Sequence, residues 1–238
     1  MSDLVIAHLY PWEMNIYGDT GNVIALRRRL EWRGLQAVVD LVPAGAPYDL
    51  AGADLVFAGG GQDRSQLDVA GDLQDRAGAV HDAVAAGVVF LLVCGTYQLF
   101  GRRFLTHDGV EIPGIGVFAM ETVAGARRMI GNVVVDSPWG RLVGFENHSG
   151  RTLLDPGQEA LGMVVKGHGN DGESGREGAV TGNCFGTYLH GSLLPKNPRF
   201  ADELLLRALR RRHGADVTLP ALDDSLEEAA AAAAARRP

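Results

Sequence analysis

In the first hundred or so residues, apolar positions fall in short runs, separated by stretches in which they recur every three or four residues. The runs are Leu4 to Tyr10, Gln36 to Val42, Asp54 to Ala58 and Val88 to Val93. Short apolar runs bounded by turn residues predict strands, and the last, apolar at every position, predicts burial on both faces. After the first run, Val23, Leu26 and Leu30 share one helical face while Arg27, Arg28 and Arg33 lie off it. Asp19-Thr20-Gly21 supplies the helix start, and Gly34 stands where a helix C-terminal glycine belongs. Residues 66 to 86 read as helix, with breaks expected near Gly71 and Gly78, and a short helix from Gly95 to about Gly101 follows the fourth strand. Strand alternating with helix predicts an α/β fold, a mostly parallel twisted sheet flanked by helices. Ligands of such sheets bind beyond the carboxyl ends of the strands. Gly59-Gly60-Gly61 and Cys94 both follow strands directly, so both are expected in one crevice.

From about residue 110 to 190 the pattern changes. Met129–Val135, Leu142–Glu146, Gly178–Thr181 and Cys184–His190 are β-rich runs between Gly-rich turns. They predict mixed or antiparallel pairing that extends the first sheet or packs on it. Asn197-Pro198 then opens a helix, with proline at the first helical position, an apolar face of Phe200, Leu204 and Ala208, and Gly214 at its end. No repeat or linker divides residues 1–215, which read as one domain. Residues 216–238 form an acidic, then alanine-rich tail, with an unbroken run from Ala229 to Ala235 that predicts frayed helix or disorder.

Composition narrows the function classes. The 238 residues are 46% hydrophobic and 21% charged, enough to bury a core without staples. With 29 acids against 22 bases the net charge is −7, which argues against a nucleic-acid or anionic-membrane surface. Two cysteines, Cys94 and Cys184, are too few for a disulfide framework. The longest apolar stretch, Gly87 to Cys94, is far shorter than the ~20 residues of a spanning helix, and Met1-Ser2-Asp3 carries no basic leader region. A soluble, cytoplasmic protein is expected. His148, His168 and His190 lack metal-ligand spacing, and no Gly-rich loop ends in Gly-Lys-Ser/Thr, so no metal or nucleotide cofactor is expected in this chain.

Cys94 carries the strongest chemical signal. Strand, sharp turn and helix form the layout of a nucleophile elbow. A helix N-terminus favours the thiolate, which is the reactive form of cysteine. Gly95 permits the bend and leaves its N–H free for an oxyanion, and Gly60 or Gly61 can complete that hole. His190 ends a β-like run and can serve as base toward Cys94 once the fold brings them together. Gln98, one helical turn after Cys94, is a candidate substrate-binding residue that covers the elbow; otherwise it faces solvent. The blander alternatives are a buried structural thiol, a surface histidine and a flexible glycine turn.

Val93-Cys94-Gly95-Thr96-Tyr97-Gln98, the preceding glycine turn and Tyr188-Leu189-His190-Gly191 resemble the triad-type (class I) glutamine amidotransferases of the CobB/CobQ-like branch. Within that branch, four flanking segments resemble the GatD family, the glutaminase subunits of lipid II isoglutaminyl synthase. They are residues 14–22 (MNIYGDTGN), 145–152 (FENHSGRT), 166–170 (KGHGN) and 185–191 (FGTYLHG). The resemblance spans about residues 4 to 212. It implies a flavodoxin-like fold with a β-rich second half, Cys94 as nucleophile and His190 as its base. It also implies Gly95 with Gly60 or Gly61 as oxyanion hole, and a glutamyl thioester resolved by water. Arg128 is assigned to the glutamine α-carboxylate, because an arginine fork suits a carboxylate and the family has an arginine in this region. Adjacent Arg127 must then face the other way on a strand. The implied partner is a Mur-ligase-like subunit (MurT), where ATP and Mg would be used to amidate the D-glutamate α-carboxylate of lipid II to D-isoglutamine.

One departure stands out. The wider class carries His-x-Glu, whereas this chain has His190-Gly191-Ser192. The third triad member is therefore expected from the partner or from Glu146. The 167–178 loop and Arg27-Arg28-Arg29 are candidate docking surfaces. Competing readings are a corrinoid-synthesis amidotransferase, a redox or sensor module using Cys94, and a hydrolase of γ-glutamyl chains.

Overall fold

The computed structural model describes residues 3–190 and 193–237. Its first half alternates as the hydrophobic pattern requires: β1 (Leu4–Leu9), α1 (Thr20–Glu31), β2 (Ala37–Val42), β3 (Leu55–Ala58), α2 (Asp63–Asp75), α3 (Ala77–Ala85), β4 (Val89–Val93) and α4 (Gly95–Leu99). Two short strands, β5 (Arg103–Leu105) and β6 (Glu111–Pro113), lead into a long hairpin of β7 (Met120–Ser137) and β8 (Gly140–Leu154). There follow β9 (Gly162–Lys166), β10 (Arg176–Glu177), β11 (Ala179–Thr181), β12 (Cys184–Thr187), α5 (Pro198–His213) and α6 (Ser225–Arg236).

The first sheet runs β11-β12-β4-β3-β1-β2, parallel except for β11. Every residue of β3, β4 and β12 is buried, as expected of strands covered on both faces. α5 lies across β1, β3 and β4 and packs on α1. Its buried face includes Phe200, Leu204 and Ala208. Strand order reverses beside β1, since β2 lies on one side of it and β3 on the other. The crevice at such a switch point is where open α/β sheets bind ligands.

The 66–86 helix is two helices, and the break lies at neither glycine. It falls at Arg76, whose guanidinium turns back to Asp72 (2.6 Å) and to the Ala46 carbonyl. Tyr10 also donates to Asp72 (2.7 Å), so a tertiary anchor, and not backbone freedom, sets the boundary.

The β-rich half does both things expected of it. β11 and β12 extend the first sheet, and β5 to β10 form a second one. The hairpin strands are much longer than the apolar runs within them, because polar residues such as Asp136, Asn147 and Arg151 continue the pairing. One irregularity interrupts the β7–β8 register between Ala124 and Met129. The two sheets meet where Phe145 of β8 bridges His190: the His190 N–H donates to the Phe145 carbonyl (2.8 Å) and the Phe145 N–H to the His190 carbonyl (3.3 Å).

The alanine run forms helix α6, packed along β7 and β8 with no fully buried residue. Polar groups hold its two ends. Asp224 accepts from Arg29 (2.7 Å), and Lys166 donates to the Ala235 and Arg237 carbonyls. Arg29 is therefore no docking residue: it is 3% exposed and shared between Asp202 and Asp224. Among the described residues, no helix is long and apolar enough to cross a membrane.

Candidate active site

Four loops beyond the carboxyl ends of β1, β3, β4 and β12 converge at the switch point. After β4 the chain turns through Cys94 at φ 51° and ψ −103°, a left-handed conformation that a β-carbon disfavours. The elbow is pinned from several sides. The Thr96 hydroxyl donates to the carbonyls of Ala58 and Gly59 (2.9 Å each), and the Cys94 N–H donates to the Thr187 carbonyl (2.8 Å). Cys94 is 5% exposed and lines a cavity of about 400 Å³. Helix α4 has only five residues, so the chief electrostatic neighbour of the thiol is an imidazole.

That imidazole is His190. Its backbone is held by the Phe145 bridge, and the end of β12 just before it is held by Glu177. Glu177 accepts from the Thr187 hydroxyl (2.6 Å) and the Tyr188 N–H (2.8 Å). Burial pushes the Glu177 carboxyl up to about 7 against the pull of those donors. His190 Nδ1 lies 3.3 Å from Asp19 Oδ2, with both side chains fully buried. Nε2 has no hydrogen-bond partner among the described residues, and Cys94 acts electrostatically on the ring. Burial opposes charging the ring, but the Cys94 charge and the Asp19 carboxylate outweigh it and raise His190 to about 10.

Asp19 is the residue that sequence reasoning missed. It occupies the N-cap position of α1, and an aspartate there ordinarily caps the helix. Here the side chain makes no cap hydrogen bond. Its Oδ2 accepts the Gly60 N–H (2.7 Å) and faces His190 instead. The available signal was position: an acid just beyond β1, at the switch point. Glu146 is elsewhere. Its buried carboxylate accepts the N–H groups of His168 (2.7 Å) and Gly169 (2.8 Å), so it fixes the 167–169 loop and does not orient His190. Ser192 lies outside the described residues.

The glycine turn needs glycine because of close approach. A β-carbon on Gly60 would stand 2.5 Å from His190 Cε1, and one on Gly61 would stand 2.4 Å from Met14 Sδ. The two amides separate in role. Gly60 donates to Asp19 and so serves the acid side of the site. The Gly61 N–H meets no acceptor among the described residues and lies against Gly95. Gly95 opens α4, where a helix N–H has no acceptor within the helix.

Substrate-side residues come from the second sheet. Arg128, Asn147, His148 and Gly150 line the cavity with Cys94, Gln66 and Gln98, and Arg127 does not. Arg128 Nε donates to Asn147 Oδ1 (2.5 Å), and Asn147 Nδ2 donates to the Tyr17 hydroxyl (2.7 Å). The Tyr17 ring covers His190 edge-on at 5.0 Å. Gln98 forms wall: its Oε1 accepts from Gln66 (2.9 Å) and its Nε2 donates to Tyr188 (2.9 Å), which leaves no free amide atom.

A thiol on a strained elbow, an imidazole across from it and an acid behind the imidazole are the groups that a cysteine-dependent acyl-transfer site requires. A glutamine amidotransferase from Thermotoga maritima superposes with a TM-score of 0.57 over 89% of this chain and 84% of its own, at 14% identity, a likeness of fold. The chain belongs to the CobB/CobQ-like glutamine amidotransferases, whose domain model matches residues 5–198. It is 38% identical over 213 residues to the GatD subunit of the glutamine-hydrolysing lipid II isoglutaminyl synthase of Staphylococcus aureus, covering 89% of this chain and 87% of that one. The same subunit of Streptococcus pneumoniae is 38% identical over 231 residues, covering 94% and 88%.

Proposed function

We propose that this chain is the glutaminase subunit of a lipid II amidating enzyme, with Cys94 as nucleophile and His190 as its base. The observation that carries the reading is the convergence of Cys94, His190 and Asp19, with Cys94 lining a cavity that Arg128 also lines. Arg128 takes the α-carboxylate of L-glutamine. Cys94 Sγ, whose proton His190 holds, attacks the side-chain amide carbon as the thiolate. The oxyanion is held by the N–H groups of Gly61 and Gly95. His190 returns the proton to the amide nitrogen as the carbon–nitrogen bond breaks, and ammonia leaves a glutamyl thioester. Water, deprotonated by His190, then attacks the thioester carbon, and the carbon–sulfur bond breaks to give glutamate and free Cys94. Asp19 holds the ring and offsets its positive charge in both halves.

The acceptor chemistry is assigned to a Mur-ligase-like partner that uses ATP and Mg to activate the D-glutamate α-carboxylate of lipid II. The extent of likeness to GatD subunits supports this choice over the corrinoid one. A sensor thiol would have no need of an imidazole held by a buried carboxylate. The test is glutamate release from L-glutamine by the purified chain, with and without the synthase subunit, and with Cys94→Ala as control. Release should vanish in Cys94→Ala. Because Asp19 comes from the chain itself, the isolated chain should retain activity that the partner increases. No release from the assembled complex would overturn the reading.

A further inference from the structure

Two buried polar atoms on the cavity wall have no partner among the described residues: Gln66 Oε1 and His148 Nε2. Both residues line the cavity that holds Cys94, and they are 2% and 3% exposed. Buried polar atoms are nearly always satisfied, so an orphan facing a cavity marks where a ligand group belongs.

Their neighbours determine what kind of group. Gln66 Nε2 donates to Gln98 Oε1 (2.9 Å), which leaves Gln66 with its oxygen unpaired. His148 Nδ1 lies 2.8 Å from the Gly150 carbonyl, which can only accept, so Nδ1 carries the hydrogen. In the neutral ring Nε2 is then a bare lone pair. Both orphans are acceptors. They belong to one wall, because Gln98 donates to the Tyr188 hydroxyl and the His148 ring stacks flat on Tyr188, with centroids 3.5 Å apart and planes at 4°. A buried carboxylate stands near the same atom, with Glu146 Oε2 3.9 Å from His148 Nε2. The cavity thus offers acceptors and negative charge on this wall and a guanidinium, Arg128, elsewhere on its lining.

We propose that Gln66 and His148 form the subsite for the α-ammonium group of glutamine and restrict the enzyme to α-amino acids. The proposal rests on the glutaminase reading, with Arg128 on the α-carboxylate. A site built to bond a substrate group rejects the analogue lacking it by about 10³-fold or more, because its own polar atoms then stay unpaired.

The experiment compares kcat/KM for L-glutamine with that for 4-carbamoylbutanoate, the same amide without its amino group, in the complex of chain and synthase subunit. Wild type should prefer glutamine by at least about 10³-fold. Gln66→Leu removes one acceptor, and His148→Phe removes the other while keeping the stack on Tyr188. Each should lower kcat/KM for glutamine by about 10-fold or more and leave the analogue nearly unchanged. The ratio of the two substrates does not depend on the fraction of folded enzyme, so a structural defect would lower both and leave it alone. Turnover of glutamine with a ratio unmoved in both variants would overturn the subsite only. Turnover of neither substrate by wild type would overturn the glutaminase reading and the subsite with it.

Discussion

The two sheets divide the labour of the site. Every group assigned to bond-breaking, namely Cys94, His190, Asp19, Gly61 and Gly95, follows a strand of the parallel sheet, whose central strands are wholly buried. The second sheet, with one face open to solvent at Ile130, Met163 and Val165, contributes Arg128, Asn147 and His148 to the cavity wall. Reacting groups must be held to a fraction of an ångström, and a layer buried on both faces does that best. Of the groups assigned to substrate recognition, Arg128 and His148 sit on the second sheet and Gln66 on α2, and Phe145 bridges the second sheet to His190.

Breaking that division at its centre should give the largest effect. Asp19→Asn keeps the side chain's shape and removes its charge, and kcat for glutamate release should fall by about 10³-fold, in line with acid-to-amide changes in other triads. A fall of less than about tenfold would mean that another acid orients His190. On the packing side, Phe90→Ala empties the middle of β4 and should cost about 3–5 kcal/mol in denaturant unfolding.

A finer probe is the ionisation of His190. Its proton affinity is raised, so its contribution to stability is fully present below the ordinary value of about 6.5. That contribution is lost as pH rises through about 10. In Cys94→Ala the ring loses one of the two groups that raise it and should titrate lower, as read from the pH dependence of its NMR signals. An unchanged titration would show that Cys94 and His190 are not electrostatically paired. The smallest effect belongs to the open face of the second sheet, where Met163→Thr should change stability by no more than about 0.5 kcal/mol. A larger loss would mean that this face is packed in solution.

The parallel sheet was legible in the sequence because its strands are buried on both sides and its helices carry ordinary start and stop residues. Leu4, Leu55 and Val89 begin strands, and Gly34 and Gly214 follow helices, with positive φ of 71° and 104°. The hairpin was legible only at its apolar centre, since exposed polar stretches extend its strands without a periodic signal. Asp19 was hidden by a competing role: an aspartate before a helix reads as a cap. Glu146 drew attention as an acid near the family's histidine motif, yet its carboxylate is consumed by two backbone amides. Orientation of a side chain at an element boundary is a tertiary property, which local pattern does not encode.

The path of the chain has a consequence for biosynthesis. Cys94 follows β4 and His190 follows β12, and the whole second sheet is made between them. Domains are synthesised from the N-terminus at a few residues per second or more, and contacts distant in sequence form late. A nascent or truncated chain that ends before β12 therefore carries Cys94 without His190. Its thiol meets His190 only when the last strand inserts beside β4. Insertion of β12 and assembly of the proposed Cys94–His190 pair are therefore one event.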